Sequence, residues 1–268
     1  MFHDPHDLLS RIPSDARVLD IGGAEDVFPR ANAVVDAVPF ARRKRQMLRE
    51  LPEQFDESSW FVGDICDSKV WSEIPDKSFD FVLCSHTLED IRDPIFVCKQ
   101  MVRVGHAGYI ETPSRFRECA KANADDDEAG WNHHRWIVDI EGDRLVFTAK
   151  MGWAHHFDYL GKGRRRLIKN RFNNYTALIW HGSFDYLERF PKGPVNEAEN
   201  LFLFYETYVD RTADPIVEIR DVAHRGRTFE WSSEFLLPIE RRLHPDEILE
   251  RWRRRRAGLR LEPLPEAR

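Results

Sequence analysis

Cysteine is scarce: four residues in 268 (Cys66, Cys84, Cys98 and Cys119), none in a C-x-x-C pair. Cys66 and Cys84 stand in apolar, strand-like surroundings, so the expectation is buried free thiols in a reducing cytoplasm. Long apolar runs are missing too, and none approaches the ~20 residues that span a bilayer. The start, Met1-Phe2-His3-Asp4-Pro5, lacks the basic and apolar regions of a signal peptide. No internal repeat is visible. A strong charge of one sign is also absent, the net charge being −6. The basic runs are not interleaved with aromatics in an acidic chain, so nucleic acid is not the expected partner. What remains, 42% hydrophobic and 32% charged residues, is the composition of an ordinary soluble globular protein. At 268 residues it can bury a core as one large domain or a domain with an appended subdomain.

The organising stretch is Arg17–Asp36. A short apolar run, Val18-Leu19, ends on Asp20 and Gly22-Gly23, and a second, Ala33–Val35, ends on Asp36. Two buried strands each closing on a carboxylate, with a glycine turn after the first, suit a nucleoside-like ligand. Glycine lets the backbone approach closely, and a strand-end carboxylate accepts from ribose hydroxyls. About a dozen residues separate the two strands, short for a crossover helix; a single helical turn or an irregular loop is expected there.

Further along, Asp7–Ile12 reads as a short helix and Phe40–Leu51 as a modest helix or partly ordered connection. Strands are expected at Trp60–Val62, Phe79–Cys84 and Tyr109–Thr112, with a helix at Pro94–Val104 and a turn at Gly105–Gly108. Strands alternating with helical connections predict an α/β fold with a doubly wound, mostly parallel sheet. The second half differs. Arg135–Ile140 and Arg144–Thr148 read as a hairpin around Glu141-Gly142-Asp143. Tyr175–Trp180 and Phe184–Phe190 read as a second pair turning at Gly182-Ser183, and Ile216–Ile219 as another strand. Helices are expected at Asn196–Asp210 and His244–Arg256, with a loose tail at Leu261–Arg268.

Taken in order, V-L-D-I-G-G at 18–23, the acid at 36, G-D-I-C at 63–66, K-S-F-D-F-V-L-C-S-H-T-L-E at 77–89 and R-V-G-H-A-G-Y-I-E-T-P-S at 103–114 resemble the class I methyltransferases that use S-adenosylmethionine, of the small-molecule type. The resemblance covers roughly residues 15–115. It implies a Rossmann-like, cofactor-binding core over 1–115. The rest, 116–268, would be a hairpin-and-helix region that completes the sheet and covers the substrate pocket. S-adenosylmethionine is the implied cofactor. Asp20, Gly22 and Gly23 would lie beside its methionine moiety and ribose, and Asp36 would take the ribose hydroxyls. Asp64 and Ile65 would frame the adenine, and Ser85 and His86 the floor near the sulfonium. Two positions depart from the usual D-x-G-x-G-x-G: Ala24 and Asp26 stand where the family has its second and third glycines, and Pro29 follows soon after.

Methyl transfer requires a nucleophile held in line and, for a hydroxyl, a base. W-N-H-H-R-W at 131–136 follows the fifth strand, so His133 or His134 is the candidate base, with Glu89 and Glu111 behind them and plain packing beside Trp131 and Trp136 as the bland alternative. The pairs His133-His134 and His155-His156 also raise a metal site. Neighbours on a strand face opposite ways, though, so each pair should give one ligand, and no metal is expected. The basic run Lys162, Arg164, Arg165, Arg166, Lys169 and Arg171 suits either a solvated face or an anionic substrate. The expected activity is methylation of a small molecule, at oxygen of a sugar, nucleotide sugar or other anionic metabolite. The alternatives are an accessory protein of the same fold and an enzyme using the cofactor for another reaction.

Overall fold

The computed structural model describes residues 4–44, 51–121, 128–156, 173–191, 216–226 and 228–232. By contacts the chain divides into one unit of Met1–Phe190 with Asp210–Glu230 and a second of Pro191–Val209 with Trp231–Arg268. The described residues lie almost wholly in the first. The helices expected at 196–210 and 244–256, the tail at 261–268 and the basic run at 162–171 lie outside them.

Helix α1 (Pro5–Arg11) starts where Asp4 accepts the amide of Asp7 and proline occupies the first turn, and it buries Leu8. The parallel strands β1 (Val18–Ile21), β2 (Ala33–Asp36), β3 (Trp60–Val62), β4 (Phe79–Ser85) and β5 (Gly105–Pro113) follow, with short helix α2 (Ser68–Trp71) and helix α3 (Pro94–Val104) between them. A 3-10 turn at Gly23–Glu25 stands in for the first crossover helix. A second, Phe40–Arg42, appears within the stretch 40–51 that reads as a modest helix or a partly ordered connection, and Arg43 lies over the Phe40 ring while pairing with Glu53. Residues 45–50 lie outside the described set.

Beyond β5 come helix α4 (Arg115–Glu118), the antiparallel hairpin β6 (Trp136–Glu141) and β7 (Arg144–Ala149), then β8 (Tyr175–His181), β9 (Asp185–Pro191), β10 (Ile216–Arg220) and β11 (Phe229–Ser232). One sheet has seven strands in the order β10-β8-β5-β4-β1-β2-β3, the other four in the order β11-β9-β7-β6. In the large sheet β8 runs antiparallel to β5, and β10 parallel to β8. The fold is therefore α/β with a large, mostly parallel, Rossmann-like sheet.

Two expectations change. Gly105–Gly108 is the first half of β5, not a turn, because α3 passes straight into extended backbone at Gly105. Lys77 Nζ caps the junction by donating to the carbonyls of Val102 and Gly105. Gly108 lies opposite Val82 on one side and Trp180 on the other, and a Cβ there would come within 2.3 Å of the Val82 carbonyl oxygen. Strands β8 and β9 are likewise not a hairpin: they part at Gly182-Ser183 and enter different sheets. Gly182 (φ +73°) donates its amide to His106, and Ser183 Oγ donates to the Val222 carbonyl, which fixes the bend away from β8.

Alternation along the strands divides the core. Val18, Phe81, Leu83, Tyr109, Ala177 and Ile179 face α1. Leu19, Ile21, Val82, Cys84, Ile110, Leu178 and Trp180 face α3 and the inner side of the second sheet, where Val138, Phe147 and Phe184 are buried. Cys84, Cys98 and Cys119 are buried and Cys66 half-buried, all as free thiols. Among the described residues no helix is long and apolar enough to cross a membrane.

Candidate functional site

The carboxyl ends of β1, β2, β4 and β5 bring most of the candidate residues to one edge of the large sheet, the edge at which open α/β sheets hold ligands. Asp20 closes β1 at 1% exposure and accepts the Phe28 amide at 2.8 Å. Burial lifts its pKa to about 7, against the lowering effect of that hydrogen bond. Gly22 has φ +75°, and a Cβ on it would sit 2.3 Å from Thr87 Oγ1, while one on Gly23 would sit 2.4 Å from Asp20 Oδ2. The glycine turn is thus closed over Thr87 and Asp20.

Asp36, at the end of β2, accepts the amide of Ala24 at 3.0 Å through Oδ2 and of Val38 at 2.7 Å through Oδ1. Burial raises its pKa against those two bonds. Asp64, after β3, is exposed, paired with Arg92 and bonded to the Cys66 amide; the Arg92 hydrogen bond holds its pKa below the ordinary value. Ile65 is buried, its carbonyl taking the Trp71 indole at 2.7 Å.

At the end of β4, Ser85 Oγ is buried with no hydrogen-bond partner among the described residues. His86 sits at φ 50°, a left-handed conformation held by its amide bond to the Glu111 carbonyl at 2.8 Å. Its Nε2 meets Glu111 Oε1 at 3.0 Å and its Nδ1 lies 3.5 Å from Glu89 Oε1. Burial opposes its charge, but the Glu111 and Glu89 carboxylates outweigh burial and carry the pKa to about 9. Glu111 is held from its other side by the Tyr109 hydroxyl at 2.5 Å. Glu89 is 1% exposed, and neither carboxylate oxygen has a hydrogen-bond partner among the described residues.

The histidine pair lies beside the turn that follows β4. The amides of Arg135 and Trp136 donate to the Glu89 carbonyl at 2.7 and 3.1 Å, and the Trp136 indole donates to the Ile91 carbonyl at 2.8 Å. These bonds bring Asp90 to 3.5 Å from His134 Nε2 and 3.9 Å from His133 Nε2. His134 is buried, stacked on Trp131, with Nδ1 2.6 Å from Glu118 Oε1. Glu118 Oε2 in turn accepts Lys150 Nζ at 2.8 Å, both groups fully buried. His133 is 60% exposed. Residues 132 and 133 form a turn rather than strand, so both imidazoles reach the same carboxylate, against the expectation of one ligand per pair. Elsewhere, His181 pairs with Glu218 and His224 with Asp185 while stacked on Tyr186, and His155 Nδ1 is buried without a hydrogen-bond partner among the described residues.

Sequence reading did not single out Asp90, Thr87, Glu118 or Lys150. Asp90 had a local signal, an acid pair directly after an apolar strand. Glu118 and Lys150 had none, since 32 residues separate them and only the fold joins them.

Residues 27–109 match the family described as a methyltransferase domain. No curated protein matches the chain. Among solved structures, it is similar to a chain of the complex between the Haloferax volcanii Trm112 methyltransferase activator and a methyltransferase, at 18% identity over 41% of this chain and 51% of that one, with a TM-score of 0.32. A methyltransferase dependent on S-adenosylmethionine from Thermotoga maritima matches at 18% identity over 41% of this chain and 49% of that one, TM-score 0.28. Another from Mesorhizobium loti matches at 18% over 59% and 70%, TM-score 0.31. The chain spans about half the length of the first of these structures.

Proposed function

We propose that this chain, whose residues 27–109 match a methyltransferase domain, is a class I, S-adenosylmethionine-dependent enzyme that methylates a hydroxyl oxygen of a small, polyhydroxylated acceptor such as a sugar or nucleotide sugar. The observation that carries the acceptor class is a set of buried acceptors without donors. Ser85 Oγ, both oxygens of Glu89 and Oδ1 of Asp90, all at or just after the end of β4, are buried without a hydrogen-bond partner among the described residues, the imidazoles of His86 and His134 standing off at 3.5 Å from Glu89 and Asp90. Buried polar atoms left so cost about 1–3 kcal/mol each. A ligand rich in hydroxyl donors suits such acceptors.

The cofactor supplies a methyl group on a sulfonium, open to in-line displacement. The residues fit its polar parts. Each oxygen of Asp36 has one backbone bond and a lone pair remaining for a ribose hydroxyl. Asp20, Gly22 and Gly23 are proposed beside the methionine end, Asp64 and Ile65 beside the adenine, and Ser85 and His86 on the floor. His86, protonated at neutral pH by its two carboxylates and with both ring nitrogens facing them, offers a fixed positive charge rather than a base. Proton removal falls to His133 or His134. With Nδ1 of His134 bonded to Glu118, its Nε2 lone pair is the atom left to accept.

One observation favours a second reading, an accessory protein of the same fold: the glycine turn packs on Thr87 and Asp20 rather than standing open. Calorimetry separates the two. Binding of S-adenosylmethionine or its demethylated product below about 100 μM, weakened at least about tenfold by Asp36→Ala, supports the enzyme. Heat-silent titrations of both ligands at that concentration, in a protein that unfolds cooperatively, leave the accessory reading.

A further inference from the structure

Three ligand-type atoms converge where the turn after β4 meets the segment before β6. One ligand atom from each of Asp90, His133 and His134 lies within 4.8 Å of the other two, with Asp90 Oδ1 3.5 Å from His134 Nε2 and 3.9 Å from His133 Nε2. We propose that Asp90, His133 and His134 bind a divalent transition-metal ion of the zinc class. For its role, holding the acceptor oxygen, this rests on the methyl-transfer reading; for its existence it does not.

The donor set is that of a catalytic rather than a closed structural site. Two imidazoles and one carboxylate occupy three positions and leave at least one for an exogenous oxygen. Imidazole favours zinc, iron(II), cobalt or nickel over magnesium and calcium, which take oxygen ligands. Ligands around a tetrahedral ion stand about 3.4 Å apart at bond lengths near 2.1 Å. Asp90 and His134 are already at 3.5 Å. His133 is at 3.9 Å and exposed, its ring edge-on to that of His134, so a small rotation of the side chain completes the set.

What surrounds the three residues matches a metal site better than a general-base pair. A ligating histidine usually donates its second ring N–H to a carboxylate, which fixes the tautomer and aims the lone pair. Glu118 does this for His134 at 2.6 Å and is itself fixed by buried Lys150. Asp90 Oδ1 is buried yet makes no hydrogen bond among the described residues, although two imidazole nitrogens lie near it. An ion between them would explain why these groups face one another without bonding. Glu89, buried one residue away and facing His86 at 3.5 Å, adds a further carboxylate to the neighbourhood of the site. Where the ion is bound, it replaces the free-base role of the two histidines: it would lower the pKa of an acceptor hydroxyl held on it, and that proton leaves to solvent.

The test uses the whole chain, stripped with chelator and dialysed. Zinc is titrated by calorimetry and cobalt(II) by its visible spectrum, which distinguishes imidazole-bound tetrahedral metal from loosely held ion. The expected result is about one equivalent bound in the micromolar range, with the cobalt bands of a low-coordinate site. Asp90→Asn and His133→Gln, the latter at an exposed position, should each weaken binding at least about tenfold. His155→Gln, outside the cluster, should leave it unchanged. Absence of saturable binding below about a millimolar, or affinity unaltered in Asp90→Asn and His133→Gln, overturns the site. Titration of S-adenosylmethionine into the same metal-free protein is read separately. Cofactor binding without metal binding overturns the metal site alone, and metal binding without cofactor binding overturns the methyl-transfer reading alone.

Discussion

Asp20 lies beneath its own turn with the Phe28 amide as its hydrogen-bond donor, and burial carries its pKa to about 7. In an unfolded chain an aspartate titrates near 3.9. Folding therefore favours the protonated form. The contribution is fully present below the unfolded value and is lost as pH rises through about 7, where the fold must bury a charge. Asp20→Asn keeps the shape and can still accept from Phe28, but it cannot ionise. The variant should match the parent near pH 3, below the unfolded value, and exceed it at pH 8 by a few kcal/mol, read from urea denaturation at the two pH values. Parallel stability curves at both pH values would show that Asp20 does not titrate in this window. If Asp20 also lies against the cofactor, the same variant binds S-adenosylmethionine more weakly while folding better. At this scale the sequence was informative about which carboxylates close strands, since Asp20 and Asp36 stand at the ends of apolar runs. It was silent about their hydrogen bonds, because the amides of Phe28, Ala24 and Val38 reach them only after the turn has folded back.

Among the elements, β5 shows where local reading stops. Gly105 and Gly108 look like turn residues in isolation, and the helix before them suggested a break. In the sheet they are the residues without a side chain where β5 passes between its neighbours. A Cβ at Gly108 would stand 2.3 Å from the Val82 carbonyl oxygen and 2.7 Å from the Trp180 ring. The first of these is backbone in a central strand and cannot give without opening the ladder. Gly108→Ala should therefore cost at least about 2 kcal/mol or yield insoluble protein. Gly152→Ala, where nothing lies within 4 Å of the added Cβ, should stay within about 0.5 kcal/mol of the parent. Equal denaturation midpoints for the two variants would mean that the β4–β5 spacing is softer than described. The hairpin β6–β7 was legible, since both its strands alternate and its turn carries Gly142 (φ +64°). The parting of β8 from β9 was not, because two alternating strands across a glycine read the same whether they pair together or with others. What decides is the competition between β5, which takes β8, and β7, which takes β9.

Across the described molecule, the second sheet is fastened at one buried carboxylate. Asp185 opens β9 with no exposure, takes Arg144 Nε from β7 at 2.5 Å, and accepts His224 Nδ1 at 2.8 Å and the Arg225 amide at 3.1 Å from the loop after β10. Because β10 belongs to the large sheet, these bonds tie the chain leaving one sheet to the first residue of a strand in the other. Burial opposes the charge on Asp185, but the Arg225 amide, Arg144 and His224 outweigh it and hold the pKa below the ordinary value. A depressed carboxyl contributes stability that is present above about pH 3.9 and lost as pH falls through the folded value. Asp185→Asn leaves Arg144 with a neutral partner and cannot serve all three donors. Breaking a buried pair on one side costs about 3–5 kcal/mol, and the Arg144 head is partly exposed, so about 2–3 kcal/mol is expected at pH 7. For a domain of this size that is a fall of roughly 4–10 °C in Tm. The difference from the parent should narrow as the pH is lowered below 4, because the parent carboxyl then protonates as well. A variant that melts with the parent at pH 7, or whose deficit is unchanged in acid, would show that this carboxylate is not what joins β9 to β7 and to the loop after β10.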